Sequence, residues 1–356
     1  MYKRELEDME ILAASDLPFD QYRDKTFMIT GATGLVGSLL AKNLLFFNRC
    51  HGLNLRIVAV VRNIEKAKTI LQDFLQDEAL SFAVCDLAKD EINYKGSLDY
   101  IIHAAAITQS KMMIENPVET IQLSVYGTDC LLRLAKEKSV KCFIYISSME
   151  VYGNIAGNRK AGEKMLGYID LESARSSYPE GKRMSELLCN SYSIEYGITV
   201  KIARLAQTFG AGILRSENRV FAQFARSALR GENIVLHTQG KSEGNYVYTR
   251  DAIKAILLLL SLDERSGTFN ISNESSHTTV AKLAELVANE VAKKHIEVVY
   301  DIPEQADVYG YAPDTKLFLD SEKIRKLGWY PEVGLKESFE RMIDDMMDME
   351  KKGKED

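Results

Sequence analysis

The sequence lacks the features that mark membrane proteins, secreted disulfide-rich proteins and metal proteins. No apolar run among its 356 residues approaches the roughly 18 that a membrane-spanning helix needs. The five cysteines form no CxxC pair and no cluster with the five histidines, so we expect free thiols in a reducing cytoplasm and no metal site. The N-terminal segment carries too many acidic residues for a signal or transit peptide.

An excess of positive charge is also missing. The formal net charge is -6 and the pI is about 5.6, which argues against a broad nucleic-acid-binding surface. Hydrophobic residues make up 46% of the chain and charged residues 27%, an ordinary composition for a globular protein with a buried core. We therefore expect a cytoplasmic protein whose partners are neither nucleic acid nor membrane.

Short apolar strands alternate with helical segments through the first two hundred residues. The predicted strands lie at 25–30, 55–61, 80–87, 98–106 and 141–148. The predicted helices lie at 34–48, 64–77, 117–138 and 179–195. The strands show little polar alternation, as burial on both faces requires. This order predicts an α/β fold of the Rossmann type, a doubly wound parallel sheet with helices on both faces.

The pattern changes after about residue 205. Short strands near 234 and 298 are interleaved with predicted helices at 219–231 and 277–294, which indicates a smaller C-terminal α/β subdomain. We expect this subdomain to bind the substrate and to be interleaved with the main sheet. The resulting division is a helical extension at 1–24, a main domain at 25–205, the subdomain at 206–347 and a charged tail at 348–356.

A glycine-rich loop follows the first predicted strand directly. In MITGATGLVG, Gly31 permits a tight turn, Gly34 lets the backbone approach a pyrophosphate, and Gly37 lets the next helix pack closely on the strand. The helix N-terminus that follows favours negative charge. The spacing is GxxGxxG rather than GxGxxG, and its place between a strand and a helix predicts a dinucleotide site. The domain at 25–205 is therefore the expected NAD(P)-binding domain.

Two positions bear on the choice of cofactor. Arg62 ends the second strand, where an acid would accept a hydrogen bond from the ribose of NAD and an arginine would accommodate the phosphate of NADP. On charge alone Arg62 favours NADP slightly, although it could instead stack on adenine or face solvent. Asp86 ends the third strand, where its side chain could reach the adenine.

Tyr178 and Lys182 are the candidate proton-transfer pair. Their i, i+4 spacing places them on one helix face. A phenol has a pKa near 10, and a neighbouring ammonium together with a positively charged nicotinamide stabilises the phenolate. Ser148 lies at the C-terminal end of a predicted strand, where ligands bind in open α/β sheets, and can hydrogen-bond a substrate oxygen.

These features together resemble the extended short-chain dehydrogenase/reductase family, the NAD-dependent sugar-nucleotide epimerases and dehydratases. The resemblance spans about residues 25 to 345 and rests on the stretches GATGLVG, HAAA, SSMEVYG, YPEGK and LGWYPEVGLKESF. It implies an enzyme of surface-polysaccharide synthesis that oxidises a sugar carbon, usually C4, with a bound nicotinamide. By position, Tyr178 would be the base, Lys182 its partner and Ser148 the hydroxyl that assists it.

The resemblance assigns two sets of binding residues. Cofactor contacts fall on Gly31, Thr33, Gly34, Leu35, Val36, Gly37, Arg62, Asp86, Leu87, Ala104, Ala105, Ala106, Tyr178 and Lys182. Substrate contacts fall on Gln109, Lys111, Arg175, Gln207, Arg219 and Tyr248, although a lone lysine such as Lys111 could equally lie at the surface. The cofactor is NAD by resemblance, and Arg62 leaves NADP open.

Glu150 indicates the branch of the family. SSMEVY is similar to the Thr-Ser-Glu-Val-Tyr of UDP-glucuronate decarboxylases, and to the Thr-Asp-Glu-Val-Tyr of dTDP-glucose 4,6-dehydratases except that Met149 replaces the acid. The resemblance thus implies a lyase acting on a nucleotide-diphosphate sugar. However, Gly244 and Tyr311 replace common arginines that bind the diphosphate or sugar, which leaves the substrate open.

The sequence leaves two alternative functions open, and the resemblance implies a homodimer. A nucleotide-sugar 4-epimerase would use Tyr178, Lys182 and Ser148 without needing Glu150. A non-catalytic NAD(P)-sensing regulator could keep the glycine loop but would not need Tyr178 and Lys182. The resemblance also implies a homodimer through two helices, here the segments at 117–138 and 179–195. The apolar stripe of the second segment would be Met184, Leu187, Leu188 and Tyr192.

Overall fold

A computed structural model describes residues 1–155, 157, 159–262, 266–303 and 314–352. In chain order, the strands and helices are α1 Lys3–Ala13, β1 Thr26–Thr30, α2 Leu35–His51, β2 Arg56–Val61, α3 Ile64–Ile70, β3 Leu80–Val84, β4 Tyr100–His103, α4 Ser110–Glu115, α5 Pro117–Lys138, β5 Cys142–Ser148, α6 Ser177–Tyr196, β6 Val200–Leu205, β7 Gln207–Phe209, α7 Val220–Arg230, β8 Ile234–Leu236, β9 Glu243–Tyr248, α8 Thr249–Ser261, β10 Gly267–Ile271, β11 Asn273–Thr279, α9 Val280–Leu286, β12 Val298–Tyr300, α10 Glu322–Arg325 and α11 Leu335–Lys352.

The predicted parallel sheet is confirmed. Seven parallel strands lie in the order β10-β6-β5-β4-β1-β2-β3. The strand order reverses beside β1, which pairs with β2 on one side and with β4 on the other. In such sheets ligands bind outside the carboxyl ends of the strands at this switch point. β10, which lies beyond residue 205, joins the main sheet through its pairing with β6.

The smaller subdomain is built from short strands and three helices. A three-stranded sheet, β11-β9-β7, and a two-stranded pair, β12-β8, pack with α7, α9 and α11 around their own apolar cluster. Phe209 and Phe221 stack at the centre of that cluster with ring centroids 4.8 Å apart. β7 follows β6 after a single residue, which brings this subdomain against the carboxyl edge of the main sheet.

Several predicted boundaries differ from the structure. The helix expected at 64–77 ends at Ile70 and is followed by a 3₁₀ turn, Gln72–Phe74. The strand expected at 98–106 ends at His103, so its alanines form a loop instead. The residues at 277–279 belong to β11, and α9 ends in a π-helical turn, Val287–Val291. The predicted tail at 348–356 begins as helix, since α11 runs to Lys352 and Met349 is buried.

The N-terminal extension is integrated into the fold. α1 packs against α2, α8 and α11, and a 3₁₀ helix, Phe19–Tyr22, follows it. Tyr22 is fully buried and donates a hydrogen bond to the carbonyl of Leu257 at 2.8 Å. Across the described ranges, no helix is both long and apolar enough to cross a bilayer.

Candidate active site

A cleft of about 1180 Å³ lies at the carboxyl edge of the main sheet. One half is bordered by the loops after β1, β2 and β4, and the other by loops of the smaller subdomain. Pockets that bind one small molecule have volumes of roughly 300–1,000 Å³, so this larger cleft has room for a dinucleotide and a second ligand. Most of the residues predicted for the site line this cleft.

The glycine loop packs so closely that a side chain at Gly31 or Gly37 would clash with the backbone. Gly31 has φ 66°, and a Cβ on it would lie 2.7 Å from the Ala104 carbonyl carbon. A Cβ on Gly37 would lie 2.3 Å from the carbonyl oxygen of Gly31. No side chain caps the N-terminus of α2 at Gly34, so its backbone N–H groups remain available to an anion. These residues therefore fit the pyrophosphate of a dinucleotide.

Thr30 and His103 form a buried hydrogen-bonded pair beneath the cofactor half of the cleft. Thr30 Oγ1 lies 2.7 Å from His103 Nδ1 and accepts a hydrogen bond from the backbone N–H of Ala105 at 3.2 Å. Burial, helped by the charge of Lys182, lowers the pKa of His103 to about 3, so the ring is neutral. The pair fixes the start of the alanine loop, and Ala104, Ala105 and Ala106 line the cleft. Sequence analysis did not assign a role to Thr30 or His103.

Arg62 lies in the cofactor half but is not a free cation. Its Nη1 lies 3.0 Å from Oε1 of Glu119, a residue of α5 that sequence analysis did not single out. The carboxylate of Asp86 points into a local turn, where it accepts the N–H of Ala88 at 3.2 Å and lies 3.7 Å from Lys89 Nζ. Asp86 does not line the cleft, whereas the neighbouring Leu87 does.

Tyr178, Lys182 and Ser148 come together at the junction of the two halves. Tyr178 is 6% exposed, and the Ser148 hydroxyl, at the end of β5, lies near enough to its phenol to lower the pKa of that phenol. Burial first and the charge of Glu150 second raise the pKa of Tyr178 to about 12, against the lowering effect of Ser148, Arg175 and Arg219. An added positive charge in the cleft would therefore favour the phenolate.

Lys182 is anchored beneath the tyrosine. Its Nζ donates to the carbonyl of Ile146 at 2.7 Å and lies 5.8 Å from the centre of the Tyr178 ring. Burial lowers the pKa of Lys182 to about 8, and the charge of Glu186, one turn further along α6, opposes that shift. Glu186 was missed by sequence analysis, although it continues the i, i+4 spacing.

Glu186 belongs to a buried polar network. Its carboxylate accepts the hydroxyl of Ser147 at 2.5 Å and pairs with Arg204 at 2.6 Å. Arg204 also donates to the hydroxyl of Tyr152 at 3.1 Å. Because Ser147 precedes Ser148 and Tyr152 closes the SSMEVY stretch, the network fixes both the strand end and the turn that carries Glu150.

Glu150 lines the cleft and forms an ion pair with Arg175. The Nη2 atom of Arg175 lies 2.6 Å from Oε2 of Glu150. The guanidinium carbon of Arg175 lies 5.8 Å from the centre of the Tyr178 ring. An acid, its counterion and the proton-transfer pair therefore meet in one wall of the cleft.

The other predicted substrate residues divide into two groups. Gln109, Gln207 and Arg219 line the cleft. Lys111 and Tyr248 do not: Lys111 is exposed, 3.7 Å from Glu115, and the hydroxyl of Tyr248 is buried against Asp8. Lys111 points outward because α4 presents that face to solvent.

The position expected to hold a diphosphate-binding arginine is apolar. A Cβ on Gly244 would lie 3.3 Å from Met149 Cε, so these two residues are neighbours. Tyr311 lies outside the described residues. Arg219 remains in the substrate half and is bound through Nε and Nη2 to Glu217, at 3.0 and 2.6 Å. Glu217, two positions before Arg219, is a further lining residue that sequence analysis missed.

Within the described ranges, no group of three histidine, cysteine or acidic side chains is arranged to hold a metal ion. The sequence-based prediction that the protein has no metal site came only from the spacing of its cysteines and histidines.

Sequence and structure comparisons give a consistent result. Residues 27–272 match the model of the NAD dependent epimerase/dehydratase family. UDP-glucuronic acid decarboxylase 6 of Arabidopsis thaliana is 32% identical over 251 residues, which is 70% of this chain and 69% of that protein. UDP-glucuronic acid decarboxylase 1 of Danio rerio is 28% identical, over 90% of this chain and 72% of that protein.

Solved structures show the same fold at lower identity. UDP-glucuronic acid 4-epimerase from Bacillus cereus, in complex with UDP-glucuronic acid and NAD, superposes with a TM-score of 0.73 at 20% identity and covers 91% of this chain and 99% of that one. A dTDP-glucose 4,6-dehydratase from Bacillus anthracis, in complex with NAD, gives 0.72 at 17% identity, covering 92% and 98%. The chain belongs to the NAD dependent epimerase/dehydratase family of nucleotide-sugar-modifying enzymes.

Proposed function

We propose that this enzyme binds NAD and a nucleoside-diphosphate sugar, oxidises the sugar at C4, and then decarboxylates it in the manner of a UDP-glucuronate decarboxylase. The observation that carries the proposal is the Glu150–Arg175 ion pair in the cleft wall beside Tyr178. A 4-epimerase needs no acid at this place, whereas a lyase needs a group that can exchange or direct a proton at C5.

The residues at the junction have distinct parts in the oxidation. When bound, NAD⁺ supplies the acceptor for the hydride from C4. Tyr178 takes the proton of the C4 hydroxyl, and Ser148 holds the same oxygen by a hydrogen bond. Lys182 stabilises the phenolate and, from its position under Tyr178, can also hold the nicotinamide ribose.

Glu150 acts in the second stage. If C6 of the sugar is a carboxylate, oxidation of C4 gives a β-keto acid, and loss of carbon dioxide leaves an enolate. Glu150 is paired with Arg175 and is therefore suited to hold a water that protonates C5, and a proton from solvent replaces the one that this water gives up. Return of the hydride to C4 and of the Tyr178 proton to its oxygen then reduces the ketone, which completes the conversion of a UDP-glucuronate-like substrate to a pentose product with release of carbon dioxide and uptake of one proton.

Met149 separates decarboxylation from dehydration. A 4,6-dehydratase must also protonate a leaving hydroxyl, and the position that holds an acid in those enzymes is Met149 here. Met149 is buried and contributes no proton donor. Dehydration would therefore need another acid, which makes it the second candidate, and 4-epimerisation the third.

The test is mass spectrometry of products from a panel of nucleotide sugars, including UDP-glucuronate, UDP-glucose and dTDP-glucose, each incubated with NAD or NADP. We expect loss of a mass equal to carbon dioxide from UDP-glucuronate. Loss of water would support dehydration, and a stereoisomer of unchanged mass would support the epimerase. If the protein binds NAD tightly but turns over none of these substrates, the proposed catalytic function is overturned and a cofactor-sensing regulator is favoured.

A further inference from the structure

The segment before residue 27 lies outside the part of the chain that matches the family, yet it is tied to the substrate half of the cleft. The connection runs through the 210–219 loop, which follows β7. Leu214, Ser216, Glu217 and Arg219 of this loop line the cleft. Whatever fixes the beginning of the loop therefore helps to fix its lining residues.

A carboxylate joins α1 to the loop. Asp345 of α11 is fully buried, and its two oxygens accept two backbone N–H groups, those of Gly212 at 3.0 Å and Arg4 at 2.9 Å. Gly212 has φ 77°, and a Cβ on it would lie 2.5 Å from Leu39 Cδ2 and 3.5 Å from Oε1 of Glu5. The turn is thus pressed between α1, α2 and α11.

A second buried carboxylate strengthens the same junction. Asp8 of α1 accepts hydrogen bonds from the Tyr248 hydroxyl at 2.6 Å and from Arg341 at 2.7 Å. The ring of Tyr248 fills the space beside Gly210, since a Cβ there would lie 2.3 Å from the ring. Because of these contacts, the Tyr248 side chain is buried against α1 and Gly210 and does not line the cleft.

α1 also contacts the cofactor helix. Glu5, which is 2% exposed, pairs with Lys42 of α2 at 2.6 Å, and α2 begins at the glycine loop. The apolar side chains of α2 pack in the core against the main sheet, whereas the 210–219 loop has no regular secondary structure. Loss of the α1 contacts should therefore affect the loop more than the cofactor cradle.

We propose that residues 1–22 are a positioning element for substrate, acting through Asp345 and Asp8 to hold the 210–219 loop against the cleft. The effect on substrate binding rests on the proposed function, but the effect on the conformation of the 210–219 loop does not. Asp345 and Asp8 touch neither cofactor nor substrate and are positioning residues in this scheme.

The first test is limited trypsin digestion, with mass spectrometry used to follow cleavage after Arg215 and Arg219. In Asp345→Asn, an amide replaces one acceptor with a donor that faces a backbone N–H, so we expect cleavage in the loop to be about tenfold faster. The matched control is Tyr22→Phe, which removes the buried hydrogen bond to Leu257 within the same segment without touching the loop. If Asp345→Asn does not fold, Asp8→Asn tests the same junction.

The second readout separates substrate from cofactor. We expect Asp345→Asn to raise the KM for the sugar nucleotide, or the Kd of UDP, about fivefold or more, with the Kd of NAD changed less than twofold. Unchanged loop cleavage in both aspartate variants, or equal cleavage in Tyr22→Phe, would overturn the inference. Failure of the wild-type protein to bind UDP while the cleavage result holds would overturn the proposed function alone.

Discussion

The Nη2 atom of Arg175 lies 2.6 Å from Oε2 of Glu150, and both groups act on the neighbouring phenol of Tyr178. The carboxylate raises the pKa of Tyr178, and the guanidinium lowers it. The ion pair therefore places the Glu150 carboxylate in the cleft, while the Arg175 charge offsets its effect on the pKa of Tyr178. Its two members should be separable by mutation.

Removal of the Arg175 charge should move the pH profile to higher pH. In Arg175→Met, Glu150 loses its counterion and the pKa of Tyr178 rises further, so the phenolate forms only at higher pH. We expect the acidic limb of the kcat profile to shift upward and kcat at pH 7.5 to fall about 10- to 100-fold. Arg175→Lys keeps the charge and should shift the limb much less; equal shifts in both variants would contradict this account.

Loss of the phenol should abolish turnover without loss of cofactor. We expect Tyr178→Phe to lower kcat by about 10²- to 10⁴-fold, because the proton acceptor is removed. The Kd of NAD, measured by calorimetry, should change less than about threefold since the glycine cradle is untouched. Tyr168→Phe is the control, as Tyr168 also lines the cleft but is 69% exposed. Unchanged kcat in Tyr178→Phe would sink the proposed mechanism.

What the sequence predicts well is local. The glycine loop lies within seven residues, and the Tyr178–Lys182 pair needs only helical spacing, so sequence alone predicts both as candidates. The partners of Arg62, Arg175 and Tyr248 lie 25 to 240 positions away and depend on tertiary packing.

Tyr248 illustrates the limit. The family resemblance made Tyr248 a candidate substrate contact, but the structure buries its hydroxyl against the N-terminal segment. Asp8, 240 positions earlier, supplies a buried acceptor for its hydroxyl. A buried tyrosine hydroxyl needs a partner, and sequence pattern does not say which distant segment provides it.

The Arg62–Glu119 ion pair favours NAD over NADP. A 2′-phosphate beside Arg62 would also meet the Glu119 carboxylate 3.0 Å away, whereas a ribose hydroxyl can donate to that carboxylate. We expect calorimetry to show tighter binding of NAD than of NADP. Glu119→Gln should improve NADP binding by about three- to tenfold relative to NAD. A preference for NADP in the wild-type protein would contradict this assignment.

The outer face of α5 and α6 should form a homodimer interface. Met184 and Leu187 are 48% and 59% exposed, and Ile121 of the adjoining helix is 45% exposed, whereas Leu188 and Tyr192 pack toward the core. Light scattering should give twice the mass of the chain. A carboxylate in this apolar face is costly to bury, so Leu187→Asp should give a monomer. Val84→Asp, at an exposed position on β3, should remain dimeric; a monomeric wild type would exclude the interface.

Asp345 should make stability depend on pH. Burial raises its pKa from 3.8 to about 7, so between these values the folded protein binds more protons than the unfolded chain. The sign follows directly: the contribution of this group is fully present below about pH 4 and is lost as pH rises through 7. Each unit of pKa displacement corresponds to about 1.4 kcal/mol.

The measurement is the free energy of unfolding of the wild type and Asp345→Asn across pH 5 to 8. Because asparagine does not titrate, the wild type should lose stability relative to the variant over this interval, by a few kcal/mol at most. Tyr22→Phe retains Asp345 and should keep the wild-type slope. Parallel curves for wild type and Asp345→Asn would mean that the carboxylate is ionised throughout and that its two backbone N–H donors outweigh its burial.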